Sequence, residues 1–212
     1  MERIRFEREL LDKEDLPLPD GGIILQNPED MASFDFFKEA RALEASDIKK
    51  YGYIKRPSYV ALYLRQQKIK AADDVTTFDS MIFAFDFPKI QERHLKKVIG
   101  FAPSGSFIEN GWTGGVELFI TNYGVCRLEV NAITVSHGSI ILDKTQTTFL
   151  INGKPTVTRI EGIENPINPI KSALLYTVEW YDATYFRKIE CEAHDYNTNH
   201  LERMLDMARA SD

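Results

Sequence analysis

The chain has 212 residues and a mass of 24.3 kDa, with 43% hydrophobic, 27% charged and 11% aromatic residues. This excludes a disordered, collagenous or disulfide-dense chain and leaves room for one packed domain, with or without an extension. The 26 basic and 32 acidic residues give a net charge of −6 and a pI of about 5.3, and no local stripe gathers the Lys and Arg that phosphate neutralisation requires, so nucleic acid is not expected as a partner. No apolar run reaches the ~18–20 residues of a membrane span, and the charged opening Met1-Glu2-Arg3-Ile4-Arg5-Phe6 lacks the apolar core of a signal peptide.

Residues 1–27 read as an N-terminal arm and linker. From Glu2 to Lys13 only Ile4, Phe6, Leu10 and Leu11 are apolar, and Pro17, Pro19, Gly21 and Gly22 then break any helix. An arm of this kind is a route to oligomer contacts. Residues 28–212 are expected to form a single domain. Asn27-Pro28-Glu29-Asp30 starts its first helix: Asn caps free amides, Pro pre-sets φ, and two acids meet the positive end of the dipole. The helix is predicted over 28–49, with Gly52 ending the segment. Met31, Phe34, Phe37, Ala40 and Leu43 recur every three residues as a stripe that must bury. Its own core is one cover; a partner contact through Phe34 and Phe37 is the other.

From there the pattern is mostly β. Strands are predicted at 59–65 and 81–87, a short helix at 89–97, then strands at 98–102, 115–121, 125–135, 139–142, 147–151, 156–160, 173–181 and 184–192. Asn152-Gly153 between two β runs is the strongest hairpin signal, because both central residues of a type I′ turn need positive φ. A closing helix is predicted with Asn199 and Glu202 as its capping box and Leu201, Met204, Leu205 and Ala208 on its buried face. The fold class is therefore α+β: a mainly antiparallel twisted sheet of about 7–10 strands, with an N-terminal and a C-terminal helix packed on it.

Two hairpins permit side-chain placement. Pairing Thr121 with Val125 sets Leu118 opposite Leu128, Val116 opposite Val130 and Ile120 opposite Cys126, a uniformly apolar face. Pairing Tyr181 with Thr184 sets Leu174 opposite Cys191 and Tyr176 opposite Ile189. Cys126 and Cys191 both fall on core faces, as buried thiols or as a disulfide between sheet neighbours. A bridge implies a periplasmic or extracellular protein that has lost a signal; unbridged cysteines with Met1 as the native start imply the cytoplasm.

The same register sets Glu117 opposite Glu129, with side-chain roots about 5 Å apart, the spacing of a retaining glycosidase pair. A structural ladder relieved by Arg127 is the plainer account. Trp112 sits among glycines, to stack on a ligand or to fold back as core. Ile167 and Ile170, in Asn165-Pro166-Ile167 and Asn168-Pro169-Ile170, need cover from the chain itself or from a partner. His94, His137, His194 and His200 match no zinc spacing, and Ser104 and Ser106 lack a nucleophile elbow. No phosphate loop or dinucleotide fingerprint is present. No catalytic residue, metal or cofactor is assigned. The expected function is a non-enzymatic protein-binding or assembly module: a secretion or envelope component, a virion part, or an inhibitor of another protein. The alternative is a carbohydrate-binding or carbohydrate-hydrolysing β protein using Glu117, Glu129 and Trp112.

Overall fold

The computed structural model describes residues 23–27, 34–56, 81–122, 124–134, 140–143, 146–147, 149–163 and 173–212. Along them run β1 (Ile23–Gln26), α1 (Phe34–Tyr51), β2 (Ile54–Lys55), β3 (Lys97–Ile108), β4 (Gly111–Ile120), β5 (Val125–Ala132), β6 (Ile140–Asp143), β7 (Phe149–Ile151), β8 (Lys154–Ile163), β9 (Ala173–Tyr181), β10 (Tyr185–Ala193) and α2 (Thr198–Ala210). The main sheet has the order β2-β8-β9-β10-β5-β4-β3, with β7 also beside β8. Its pairs are antiparallel except β2 with β8, and β1 and β6 make a separate parallel pair. The expected α+β class with a mainly antiparallel sheet is what the chain forms.

Alternation along the strands gives the sheet two unlike faces. Phe119, Cys126, Leu128, Val130, Ile189, Cys191, Tyr176, Val178 and Trp180 share one face and are almost wholly buried. α2 covers this face with Leu201, Met204, Leu205 and Ala208, the four positions its periodicity marks out. Its N-cap is Asn197 rather than Asn199: the Asn197 side chain accepts the Asn199 N–H at 3.0 Å. The opposite face carries Arg127, Glu129, Lys188 and Glu190.

The Asn152-Gly153 turn forms as expected, with φ of 49° and 79°, and closes β7 on β8. The other two hairpins differ in register. Ile120, not Thr121, pairs with Val125, because Thr121 belongs to the turn. Its N–H donates to the Gly124 carbonyl at 2.9 Å and its hydroxyl to the same oxygen at 3.1 Å. That one-residue slip exchanges the faces of β4 relative to β5, so Glu117 stands opposite Leu128 and Phe119 opposite Cys126. At the second hairpin the Asp182 carboxylate accepts the Thr184 and Tyr185 N–H groups, each at 2.7 Å, and Phe186 becomes the partner of Tyr181. That slip is two residues, so every side chain keeps its expected face.

Other expectations change more. Only a single bridge, Phe83 with Trp112, stands where a strand over 81–87 was expected, and the expected helix over 89–97 shrinks to a 3-10 turn, Glu92–His94. α1 runs to Tyr51, but its stripe does not bury as a unit: Ala40 is exposed and Leu43 is 69% exposed. Among the described residues, α1 packs on β2 near its C-terminal end and reaches β6 through the ion pair of Arg41 with Asp143, while Ala40 and Leu43 face solvent. The structure describes the backbone of Phe34 and Phe37 within α1 and not their side chains. The expected strand over 59–65 lies outside the described residues.

Candidate functional site

The β3–β4 reversal leaves Phe107 open to solvent, with Ile82 exposed on the segment that bonds to β4. Gly111 starts β4 at φ 122°, and a Cβ there would meet the Ile82 carbonyl oxygen at 2.6 Å. Glycine alone lets the segment around Ile82 approach so closely. Trp112 then donates its N–H to the Ile82 oxygen and accepts the Ala84 N–H, both at 2.9 Å. These bonds occupy the side of β4 that β5 leaves beyond Asn131. The backbone of Trp112 is thus locked, while its half-buried ring meets Phe107 edge-on at 5.3 Å between centroids. Phe107 is 61% exposed and Ile82 67% exposed. The half-buried Trp112 ring thus forms an aromatic pair with the exposed Phe107. Such a pair offers shape and apolar area, not acid–base chemistry.

Glu117 and Glu129 do not converge. With Glu117 opposite Leu128 and Glu129 opposite Val116, the two carboxylates project from opposite faces of the sheet. Glu117 is 1% exposed and accepts the Ile90 N–H at 3.0 Å. Burial pushes its carboxyl above the ordinary glutamate range, against the pull of that bond and of Lys89. Its work is to fasten the segment ending at Ile90 onto the core. Glu129 sits in a ladder of charges: Lys188 at 3.0 Å, the Asn131 amide at 3.1 Å and Arg127 at 3.8 Å. Burial opposes its ionisation, but Lys188 and Arg127 outweigh burial and hold its carboxyl below the ordinary range. Arg127 also pairs with Glu190. The spacing required of a retaining glycosidase pair is absent from these two residues.

Cys126 and Cys191 are directly opposed across β5 and β10, with Cα atoms 4.1 Å apart and a bridge closing a separation of 65 residues. Both lie in the core face, so the bond is shielded and structural in its position. Near the start of α2, His200 faces the Asp195 carboxylate at 3.1 Å and meets Tyr176 edge-on. The Tyr176 hydroxyl in turn donates to the Asp195 carbonyl and accepts the Asn197 N–H. These bonds pin the loop that leads into the helix. Among the described residues, no three His, Cys, Asp or Glu side chains gather as a metal site would require.

Of the expected contact residues, Trp112 is placed at the hairpin surface; Ile167 and Ile170 lie outside the described residues. Sequence reasoning singled out the Phe107–Gly115 loop but not Ile82, because an aromatic-rich run over 81–87 mimics a strand and hides the residue that joins Trp112. No helix among the described residues is long and apolar enough to cross a membrane. Comparison with protein-family models, with curated proteins and with solved structures finds no match to this chain.

Proposed function

We propose that the chain is a non-enzymatic protein-binding or assembly module whose contact surface is the tip of the β3–β4 hairpin. The observation that carries this reading is the exposed Phe107 ring set edge-on against Trp112, whose backbone is locked by hydrogen bonds to a segment that leaves Ile82 exposed. A rigid aromatic anchor costs little entropy on binding, and aromatic residues dominate interface hot spots. The double variant Phe107→Ser, Trp112→Ala is expected to melt within a few degrees of the wild type, because little buried area is lost, and to lose a partner that the wild type captures from its native host. Retention of that partner by the double variant would refute this assignment. A carbohydrate-binding reading rests on the same indole ring; it predicts glycan-array binding by the wild type that Trp112→Ala abolishes.

A further inference from the structure

Among the described residues, strand pairing along the outer edge of β8 is interrupted. β7 pairs as far as Phe149 opposite Thr156, β2 begins with Ile54 opposite Glu161, and no strand among the described residues pairs with 157–160 on that side. The chain on the β7 side is diverted by a turn in which the Gln146 N–H and the Thr147 hydroxyl both donate to the Asp143 carbonyl, at 3.1 and 3.2 Å. On the β2 side, Gly52 at φ 83° turns the backbone into α1. What remains is a slot of 310 Å³ lined by Glu44 and Ile48 of α1, Ile54 of β2, Thr158 and Arg159 of β8, and Leu201 of α2. Gly162 accepts the Arg56 N–H at 3.3 Å on this edge, so the two-residue period directs the peptide groups of Thr158 and Ile160 the same way.

We propose that this slot receives a short extended segment of another protein, an acidic residue between two apolar ones, added as a strand beside 157–160. A gap of four residues is about 13 Å at strand rise, and outward N–H and C=O groups at strand spacing are matched by another extended backbone. The occupant's central side chain shares a face with Arg159, which is 38% exposed, holds the Gln146 amide oxygen at 3.2 Å and meets Glu179 only at 3.8 Å. The nearby carboxylates of Glu44 and Glu161 are both engaged by Arg56. The flanking side chains share the face of Thr158 and Ile160, where Leu201 supplies apolar cover. This surface is at the opposite edge of the sheet from the β3–β4 tip and does not depend on the function proposed for that tip.

The test is fluorescence anisotropy of the full chain with the labelled peptide acetyl-Ser-Val-Glu-Val-Ser-amide. Saturable binding is expected, weakened about tenfold or more when both valine amides are N-methylated, since each methyl removes a backbone donor. Replacing the central Glu by Lys is expected to weaken binding about tenfold, and Arg159→Glu to reverse that preference. Absence of saturable binding, equal binding of the methylated peptide, or an unchanged charge preference in a folded Arg159→Glu variant would each overturn the proposal. So would a concentration-dependent dimer that Arg159→Glu disperses while the monomer takes up no peptide; the occupant would then be a second copy.

Discussion

Under α2, the sheet presents Phe119, Leu128, Cys126, Cys191, Val178 and Trp180, packed with the methionines and leucines of the helix. On the reverse of the same strands, Arg127, Glu129, Lys188 and Glu190 alternate in sign and neutralise one another across β5 and β10. The first face is held by area removed from water, which is indifferent to direction and to pH. The second is held by geometry and charge, and responds to both. Adjacent residues of one strand thus obey different rules, and Glu117 and Arg187 cross between them: two charged groups placed on the apolar face.

The largest effect should come from the cross-link within the apolar face. Closing a loop of 65 residues constrains the unfolded chain by about 4 kcal/mol in the entropic model. Unreduced, denatured protein is expected to show no free thiol, and reduction should lower the urea midpoint accordingly; two titratable thiols in the native preparation would contradict the bridge. Leu128→Ala, at a fully buried position, should cost about 3 kcal/mol with little dependence on pH or salt. Equilibrium unfolding at two pH values checks both statements.

The smallest effects separate the two faces by sign. Glu129→Gln should destabilise at neutral pH by about 1–2 kcal/mol, because Lys188 and Arg127 lose a charged acceptor. Since its folded pKa is depressed, the stability Glu129 supplies is present above the ordinary glutamate pKa and is lost as pH falls through the folded value. Glu117 runs the other way. Its raised folded pKa means that its contribution is fully present below the unfolded pKa and is lost as pH rises through the folded one. Glu117→Gln, which keeps an oxygen for the Ile90 N–H, should therefore raise the melting temperature at neutral pH, with the gain fading in acid. Melting curves of both variants from pH 4 to 8 would sink the comparison if they moved in parallel.

How much was legible depended on whether a signal was local. Asn152-Gly153 states its own turn, since the φ values it needs are a property of two residues. The buried stripe of α2 is likewise written in one helix, and the alternation of β5 and β10 places both cysteines inside regardless of which residues face them. Register is different. It is decided by how a turn closes: the Thr121 hydroxyl and the Asp182 carboxylate each drew one more residue or two into the loop. The error at β4 was natural because both of its faces are buried, with Val116 and Leu118 on one and Glu117 and Phe119 on the other, so hydropathy marked neither. At Ala40 and Leu43 the stripe of α1 stays exposed, because periodicity shows that a helix has an apolar side but not which of its residues another element covers. Of the candidate site, the Trp112 loop was visible and its companion Ile82 was not, since only folding brings that segment against Gly111.

The amino-acid sequence by itself determined the α+β class, most strand positions, the Asn-Gly hairpin, the docking face of α2 and the inward direction of both cysteines, because each follows from propensity and periodicity within a few neighbouring residues. Tertiary structure alone decided that Cys126 and Cys191 stand opposite one another, that Glu117 and Glu129 part to different faces, and that no described strand pairs with 157–160 of β8 between β7 and β2. These are relations between segments distant along the chain. They depend on turn closure and on where other strands end, which no local pattern records.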